Sequence, residues 1–147
     1  MTVAQHSAAP PPTAIPRDYN FAVDILQRNL DAGRGGKTAF IDPAGEYSYA
    51  DLAERVDRFG NVLRELGVRR EERILICLLD TIDWPTAFLG AIKAGVVAVP
   101  VNTLMTEDDY CFMLEDSRAR LLLVSEELVP KFEKAIAAAP GLAQVVV

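Results

Sequence analysis

The sequence predicts an α/β domain of three layers, in which helices cover both faces of a mostly parallel sheet. Two observations predict this class. Short apolar runs such as residues 73–79 lack polar alternation, which is typical of strands buried on both faces. These runs alternate along the chain with segments of helical spacing, and this order indicates right-handed crossovers between parallel strands.

The first part of the chain is expected to contribute a leader, a helix and a hairpin. Residues 1–18 are rich in Ala and Pro and are interpreted as a disordered leader, because proline fixes φ and removes an amide donor. A short helix is expected over residues 19–29. The β-prone residues 38–42 and 46–49 flank a Pro-Ala-Gly turn and predict a hairpin.

The clearest helix of the sequence follows the hairpin. Its apolar residues recur at intervals of three and four: Leu52, Val56, Phe59, Leu63 and Leu66. Ser48 with Asp51 three residues later predicts the N-terminal cap, and Gly67 stands where a left-handed C-terminal cap is expected. A helix between these two signals is therefore expected.

The remaining segments alternate between strand and helix patterns. The expected strands cover residues 73–79, 96–101, 120–124 and a β-like run at 144–147, and the expected helices cover 83–94, 106–117 and 126–139. Gly95 is expected to close the helix that precedes it. Residues 19–147 are therefore expected to belong to one α/β unit.

Composition and charge argue against several classes of function. The 147 residues carry 15 basic and 21 acidic side chains, a formal net charge of −6, without a dense Lys/Arg stripe. Such a surface suits neither nucleic acids nor anionic membranes. The apolar runs are too short to cross a bilayer and the N-terminus lacks the regions of a secretory signal, so a cytoplasmic protein without membrane contact is expected.

Histidine and cysteine are scarce, which narrows the chemistry further. The only histidine, His6, lies in the leader, and this argues against histidine-dependent triads and multi-histidine zinc sites. Cys77 and Cys111 lie outside any CxxC or metal-ligand spacing and are interpreted as buried, reduced thiols.

Two patterns have a stronger structural interpretation than a catalytic one. Residues 31–38, DAGRGGKT, end like a phosphate-binding P-loop, but Asp31 stands where glycine is needed and a helix precedes the segment. A group of carboxylates follows the second buried strand: Glu107, Asp108, Asp109, Glu115 and Asp116. Thr106 with Asp109 suits a capping box, and the other acids suit a helix N-terminus and a solvated face.

Ligand sites in open α/β sheets lie beyond the carboxyl ends of the strands, where helix N-termini and loop amides converge. Residues 80–84 and 102–105 form the two loops that qualify. In the first loop, Asp83 is expected to cap the next helix, and Trp84 is expected to join the core. Asn102 is interpreted as a turn former, with a ligand contact as the alternative.

The order of segments resembles that of a known superfamily. KTAFID at residues 37–42, EYSYADLAERVDRFGNVLRELGV at 46–68 and residues 72–125 resemble the N-terminal region of the acyl-adenylate-forming enzymes, the acyl-CoA synthetase superfamily. Within it, DTIDWPTAFLGAIKAG at 80–95 and PVNTLMTEDDYCFMLEDSRAR at 100–120 look most like the benzoate-CoA ligases.

The resemblance implies a two-step reaction, in which benzoate attacks the α-phosphate of Mg-ATP and the CoA thiol then displaces AMP to give benzoyl-CoA. It implies ATP, Mg²⁺ and CoA as cofactors of a parent enzyme, and an aryl carboxylate and the remainder of that enzyme as partners. The family's phosphate loop, adenine-binding strand, magnesium ligand and lysine-bearing C-terminal domain are not found among these residues. The chain is therefore expected to be an N-terminal fragment of the large domain, 19–147 an incomplete subdomain, inactive and without cofactor by itself.

No catalytic or metal-binding residue carries over from the resemblance by motif. Pro100, Asn102 and Thr103 lie in a loop near the expected site and are interpreted as residues that line it. Some relatives place a basic residue after the corresponding asparagine, where this chain has Leu104 and Met105 after Thr103.

Two other functions stay open at this stage. A self-sufficient flavodoxin-like module would bind a small ligand or a protein and would be monomeric, and a regulatory or scaffolding subunit would keep the fold without catalysis. A fragment should instead expose an unpaired terminal strand near residues 145–147, which favours homo-oligomers.

Overall fold

A computed structural model describes residues 14–147. The helices are α1 (Phe21–Asp31), α2 (Tyr49–Glu65), α3 (Asp83–Ala94), α4 (Glu107–Ser117) and α5 (Glu133–Ala138), with a 3-10 helix at Glu126–Phe132 directly before α5. The strands are β1 (Thr38–Asp42), β2 (Gly45–Ser48), β3 (Arg73–Cys77), β4 (Val97–Pro100), β5 (Leu121–Val124) and β6 (Gln144–Val146). The expected leader, residues 1–18, lies mostly outside the described residues, and residues 14–18 contain neither helix nor strand.

Two sheets organise the described residues. Strands β1 and β2 form the expected antiparallel hairpin. The main sheet has the order β4-β3-β5-β6, and every pair in it is parallel. Helices cover both of its faces, so the predicted three-layer α/β class with a mostly parallel sheet is confirmed.

Strand β3 lies at the centre because its side chains are apolar on both faces. Residues 74–77 are all fully buried. Leu75 and Cys77 pack against residues of α4, the 3-10 helix and α5, whereas Ile74 and Ile76 pack against residues of α2 and α3. The uninterrupted apolar run seen in the sequence thus serves two separate cores.

The helix ends follow the predicted capping chemistry. Ser48 accepts the Asp51 amide at 3.2 Å and the Asp51 carboxylate accepts the Ser48 amide at 2.9 Å, which completes a capping box at the start of α2. Thr106 and Asp109 form the same motif at α4. Gly67 follows α2 with a φ of 74°, a conformation that glycine adopts without steric cost.

Three local predictions are wrong. The expected helix over residues 126–139 is α-helical only in its second half, because Pro130 has no amide hydrogen and disfavours α geometry in the residue before it. Asp83 is the first residue of α3 and makes no capping hydrogen bond. Cys111 is half-buried instead of buried, whereas Cys77 is buried, and both thiols are free.

Helices α2 and α3 approach each other closely at Gly90. A Cβ atom at this position would lie 2.7 Å from Phe59 Cδ1 and 3.2 Å from the Val56 carbonyl oxygen, which is too close for an unchanged backbone. Gly60, on the facing helix, is different, since a Cβ there would meet only the Gly90 carbonyl oxygen at 4.0 Å. The contact between the two helices therefore requires glycine at residue 90 and permits alanine at residue 60.

This difference provides a matched pair of variants for urea denaturation. We expect Gly90→Ala to lower the free energy of unfolding by about 1–3 kcal/mol, because the methyl group overpacks the helix contact. Gly60→Ala should raise it by about 0.5–1 kcal/mol, because alanine is the better helix former and has room. Equal effects of the two substitutions would contradict the described packing of α2 on α3.

Candidate ligand site at the carboxyl edge of the sheet

Three loops meet where the parallel strands of the main sheet end. Residues 78–82 follow β3, residues 101–106 follow β4, and Ser125 follows β5. We call these three segments the carboxyl edge. The chain leaves β3 toward β4 on one side and leaves β5 toward β6 on the other, so the edge includes a topological switch point, the usual place for ligands in such sheets.

The switch point between β3 and β5 is held together by hydrogen bonds of Ser125. The Ser125 amide donates to the Cys77 carbonyl oxygen at 3.1 Å. The Ser125 hydroxyl accepts the Leu79 amide at 2.9 Å. The beginnings of both loops are therefore fixed relative to each other.

The loop after β3 is fixed by the hairpin. Oδ2 of Asp42 accepts the Ile82 amide at 2.9 Å, and Oδ1 accepts the amides of Ala44 and Gly45 at 2.8 and 3.1 Å. These bonds favour the ionised carboxylate, and the Ile82 amide contributes most to a lowered pKa of Asp42. Asp42 thus satisfies an amide at the start of α3, the role that the sequence assigned to Asp83.

The loop after β4 contains the three residues interpreted as lining the site. Pro100 ends β4 and is exposed, and it can occupy this position because β4 is an outer strand of the described sheet. Asn102 is exposed, and its Oδ1 accepts the Leu104 amide at 2.8 Å, which confirms the predicted turn former. Thr103 is half-buried, and its carbonyl oxygen accepts a hydrogen bond from Lys131 Nζ at 3.0 Å.

Tyr110 is a central residue of this edge that the sequence interpretation missed. Its hydroxyl donates to the Asn102 carbonyl oxygen at 2.8 Å and lies 3.8 Å from the Cys77 sulfur. Burial is the main cause that raises the pKa of Tyr110 to about 12 and raises the pKa of the Cys77 thiol. Both groups are therefore neutral at physiological pH and serve as hydrogen-bonding groups. The clue in the sequence was a tyrosine within an otherwise apolar helix face.

The described residues show no metal-binding cluster at this edge. Residues 14–147 hold no group of three or more His, Cys, Asp or Glu side chains placed to bind a metal ion.

A groove of about 890 Å³ lies at the other end of the sheet, beside the start of β3 and β4, and its lining includes Arg64, Arg69, Arg70 and Lys93. Because ligands of parallel sheets bind beyond the carboxyl ends, this groove is a weaker candidate than the carboxyl edge. No helix within the described residues is long and apolar enough to span a membrane.

Comparison with known proteins places this geometry in a family. The model of the AMP-binding enzymes matches residues 26–147. The chain belongs to the AMP-binding enzyme family. It is 53% identical to a benzoate–CoA ligase of Thauera aromatica over 148 aligned residues, which cover all of this chain and 28% of the relative.

Two further relatives agree with this assignment. A 4-hydroxybenzoate–CoA/benzoate–CoA ligase of Rhodopseudomonas palustris is 49% identical over 130 residues, 88% of this chain and 24% of the relative. The crystal structure of the anthranilate CoA ligase AuaEII in complex with anthranoyl-AMP superposes with a TM-score of 0.85 and 40% identity, over 90% of this chain and 25% of that structure. The chain thus spans about a quarter of the length of these relatives.

The capping role of Asp42 leads to a test against Asp83. We expect Asp42→Ala to lower the urea midpoint at neutral pH more than Asp83→Ala does, because Asp42 accepts three amides and Asp83 caps none. The lowered pKa means that the stabilisation is present above the ordinary aspartate pKa of about 3.9 and is lost as the pH falls through the lower folded-state pKa. The difference between wild type and Asp42→Ala should therefore shrink below about pH 4. A larger effect of Asp83→Ala would contradict the assignment.

Proposed function

We propose that this chain is the N-terminal part of an aromatic acid–CoA ligase that converts benzoate, ATP and CoA into benzoyl-CoA, AMP and pyrophosphate. The observation that carries the proposal is the 53% identity with a benzoate–CoA ligase over the whole chain. The other two relatives act on 4-hydroxybenzoate or benzoate and on anthranilate, as their names state. All three acids are carboxylates on a benzene ring, which supports an aryl carboxylate as the substrate.

The proposed reaction has two steps, formation of an acyl-adenylate and transfer of the acyl group to CoA. A benzoate oxygen attacks the α-phosphorus of ATP, and pyrophosphate leaves to give benzoyl-adenylate. The CoA thiol then attacks the acyl carbon, AMP leaves, and the thiol proton passes to a base. Both steps require cationic groups that offset phosphate charge and hold the reactants in line.

The described residues do not fit the role of a Mg²⁺ site, because they contain no cluster of acidic ligands for this ion. ATP, Mg²⁺ and CoA would therefore bind to the remainder of a longer parent protein, which would be the first partner of this chain. Residues 19–147 would form one subdomain of its AMP-binding domain, and the exposed Val145 of β6 would contribute to the contact.

The part of the site that this chain would supply is the loop after β4. Pro100, Asn102 and Thr103 would line the edge of the substrate site. They would contribute surface and no free hydrogen-bonding side chain or carbonyl group, because Asn102 Oδ1 and the Thr103 carbonyl oxygen already accept hydrogen bonds from the protein. This chain would thus shape the substrate site while the charged chemistry occurs on other residues of the parent.

The direct test is benzoate-dependent exchange of radioactive pyrophosphate into ATP by the product of the complete reading frame that contains this sequence. We expect exchange with benzoate, little with cyclohexanecarboxylate as a non-aromatic acid of similar size, and formation of benzoyl-CoA when CoA is added. The 147-residue chain by itself should show no exchange, because its sequence lacks the family's phosphate loop and its described residues hold no cluster of Mg²⁺ ligands.

Two results would overturn the proposal. A folded parent protein without exchange for benzoate or its hydroxy and amino derivatives would refute the activity, as would a reading frame that encodes only these residues. Exchange by the 147-residue chain alone would refute the assignment of the chemistry to other residues.

A further inference from the structure

The groove at the amino ends of β3 and β4 carries several cationic side chains. It has a volume of about 890 Å³ and lies between the last turns of α2 and α3, beside the turn that follows α2. The cations that line it belong to Arg64, Arg69, Arg70 and Lys93. Among the lining residues in the described part of the chain, only Asp57 carries a carboxylate. The groove is therefore positive, although the chain has a formal net charge of −6.

Two of these cations have a structural explanation. Arg64 lies in the last turn of α2 and Lys93 in the last turn of α3, where positive charge offsets the negative end of the helix dipole. Lys93 also pairs with Asp57, and Arg64 donates to Asn61 Oδ1 at 3.0 Å. These contacts account for Arg64 and Lys93 without any ligand.

The other two cations lie on a turn that is held in place by backbone hydrogen bonds. Glu72 Oε2 accepts the Arg69 amide at 2.7 Å, and the Arg69 carbonyl oxygen accepts the Glu72 amide at 3.2 Å. The Glu71 amide donates to the Gly95 carbonyl oxygen at 2.9 Å, which ties the turn to the end of α3. The backbone that carries Arg69 and Arg70 is thus ordered before any ligand arrives, and this lowers the entropic cost of binding.

The side chain of Arg70 is also restricted. A Cβ atom at Gly95 would lie 3.0 Å from Arg70 Nε and 3.3 Å from Arg70 Cγ, so this side chain rests against the glycine backbone. Glycine at residue 95 leaves the space that the arginine occupies. The guanidinium group of Arg70 therefore has a defined position beside the groove.

The protein does not neutralise Arg69 and Arg70. Both side chains are exposed, and within residues 14–147 neither guanidinium group forms a salt bridge. The nearby Glu72 carboxylate is used otherwise, since Oε2 accepts the Arg69 amide and Oε1 lies 3.9 Å from Arg120 Nε. Planar guanidinium groups bind phosphate oxygens through paired, charge-assisted hydrogen bonds. Two unpaired guanidinium groups at one groove therefore suit a ligand with several phosphate oxygens.

We propose that this groove binds a small polyphosphate-bearing anion, with Arg69 and Arg70 as its contacts. The volume of about 890 Å³ is within the range of small-molecule sites, whereas a nucleic acid needs a longer basic surface than this chain has. The groove lies at the opposite end of the sheet from the loop after β4, so this site is separate from the proposed substrate site. The inference does not depend on the proposed function, because residues of this chain alone form the groove.

The test is calorimetric titration of inorganic tripolyphosphate into the complete parent protein at constant ionic strength. Wild type should bind the probe. Arg69→Gln and Arg70→Gln should each raise the Kd at least about fivefold, because each removes a charged hydrogen-bond donor. A nucleotide site elsewhere in the parent would bind the probe equally well in wild type and in both variants, so the part of the binding that is lost belongs to the groove.

Two further variants separate a specific site from general attraction by surface charge. Arg58→Gln removes an exposed arginine of α2 that pairs with Glu54 and does not line the groove, and it should leave the Kd unchanged. Asp57→Asn removes the carboxylate that lines the groove, and it should lower the Kd about twofold to threefold because the groove becomes more positive. An equal rise of the Kd in Arg58→Gln and in the variants of Arg69 and Arg70 would overturn the proposal.

Hydrogen exchange locates the bound anion without any measurement of activity. Tripolyphosphate should slow the exchange of the amides of residues 69–72 and 95–97 in wild type and leave them unchanged in the double variant Arg69→Gln/Arg70→Gln. Groove binding by an inactive parent would refute the proposed function and support this inference. If acidic residues of the parent fill the groove, wild type would not bind the probe, and both arginine variants would unfold at lower urea concentration. That result would overturn the inference in favour of an internal ion pair.

Discussion

The complete burial of β3 is the constraint on which the rest of the structure depends. Residues 74–77 are inaccessible to solvent, and their side chains alternate between two hydrophobic clusters on opposite faces of the sheet. A strand of this kind is stable only when helices cover both faces and a neighbouring strand pairs with each of its edges. The crossovers that supply these helices bring the ends of β3, β4 and β5 to one edge. The location of the candidate site is thus a consequence of the burial of β3.

The loops at this edge are fixed by side chains that come from distant parts of the chain. Asp42 reaches the start of α3 from the hairpin, Ser125 joins the loops after β3 and β5, and Tyr110 with Lys131 holds the loop after β4. Each bond satisfies a backbone group that the strand ends leave without a partner. The same bonds that stabilise the fold therefore shape the surface that a ligand would meet.

The regular elements could be predicted from the sequence because their signals are local. Helical spacing, the capping boxes of α2 and α4, and glycine at residue 67 are all contained in a few neighbouring residues. The exception among the helices is the segment with Pro130. Its composition favours a helix, but it does not distinguish the observed 3-10 geometry from an α-helix.

The contacts of the candidate site could be predicted only in part, because they join residues far apart in the sequence. Asn102 was correctly interpreted as a turn former, since its side chain bonds to the amide two residues later. Asp42 and Ile82 are separated by 40 residues, and Lys131 and Thr103 by 28, so no local pattern reveals either bond. Asp83 was predicted to cap α3, whereas Asp42 of the hairpin accepts the amide at its start. The sequence around α3 contains no signal for a capping carboxylate that belongs to another element.

The most direct measurement of the central claim is a set of crystal structures of the parent protein with an aryl adenylate and with CoA bound. We expect at least one of residues 100–103 within about 4 Å of a bound substrate, and both carbonyl bonds from Tyr110 and Lys131 intact. Substrates seated against the groove at the amino ends of β3 and β4, with no contact to the loop after β4, would contradict the assignment of the carboxyl edge as the substrate side of this domain.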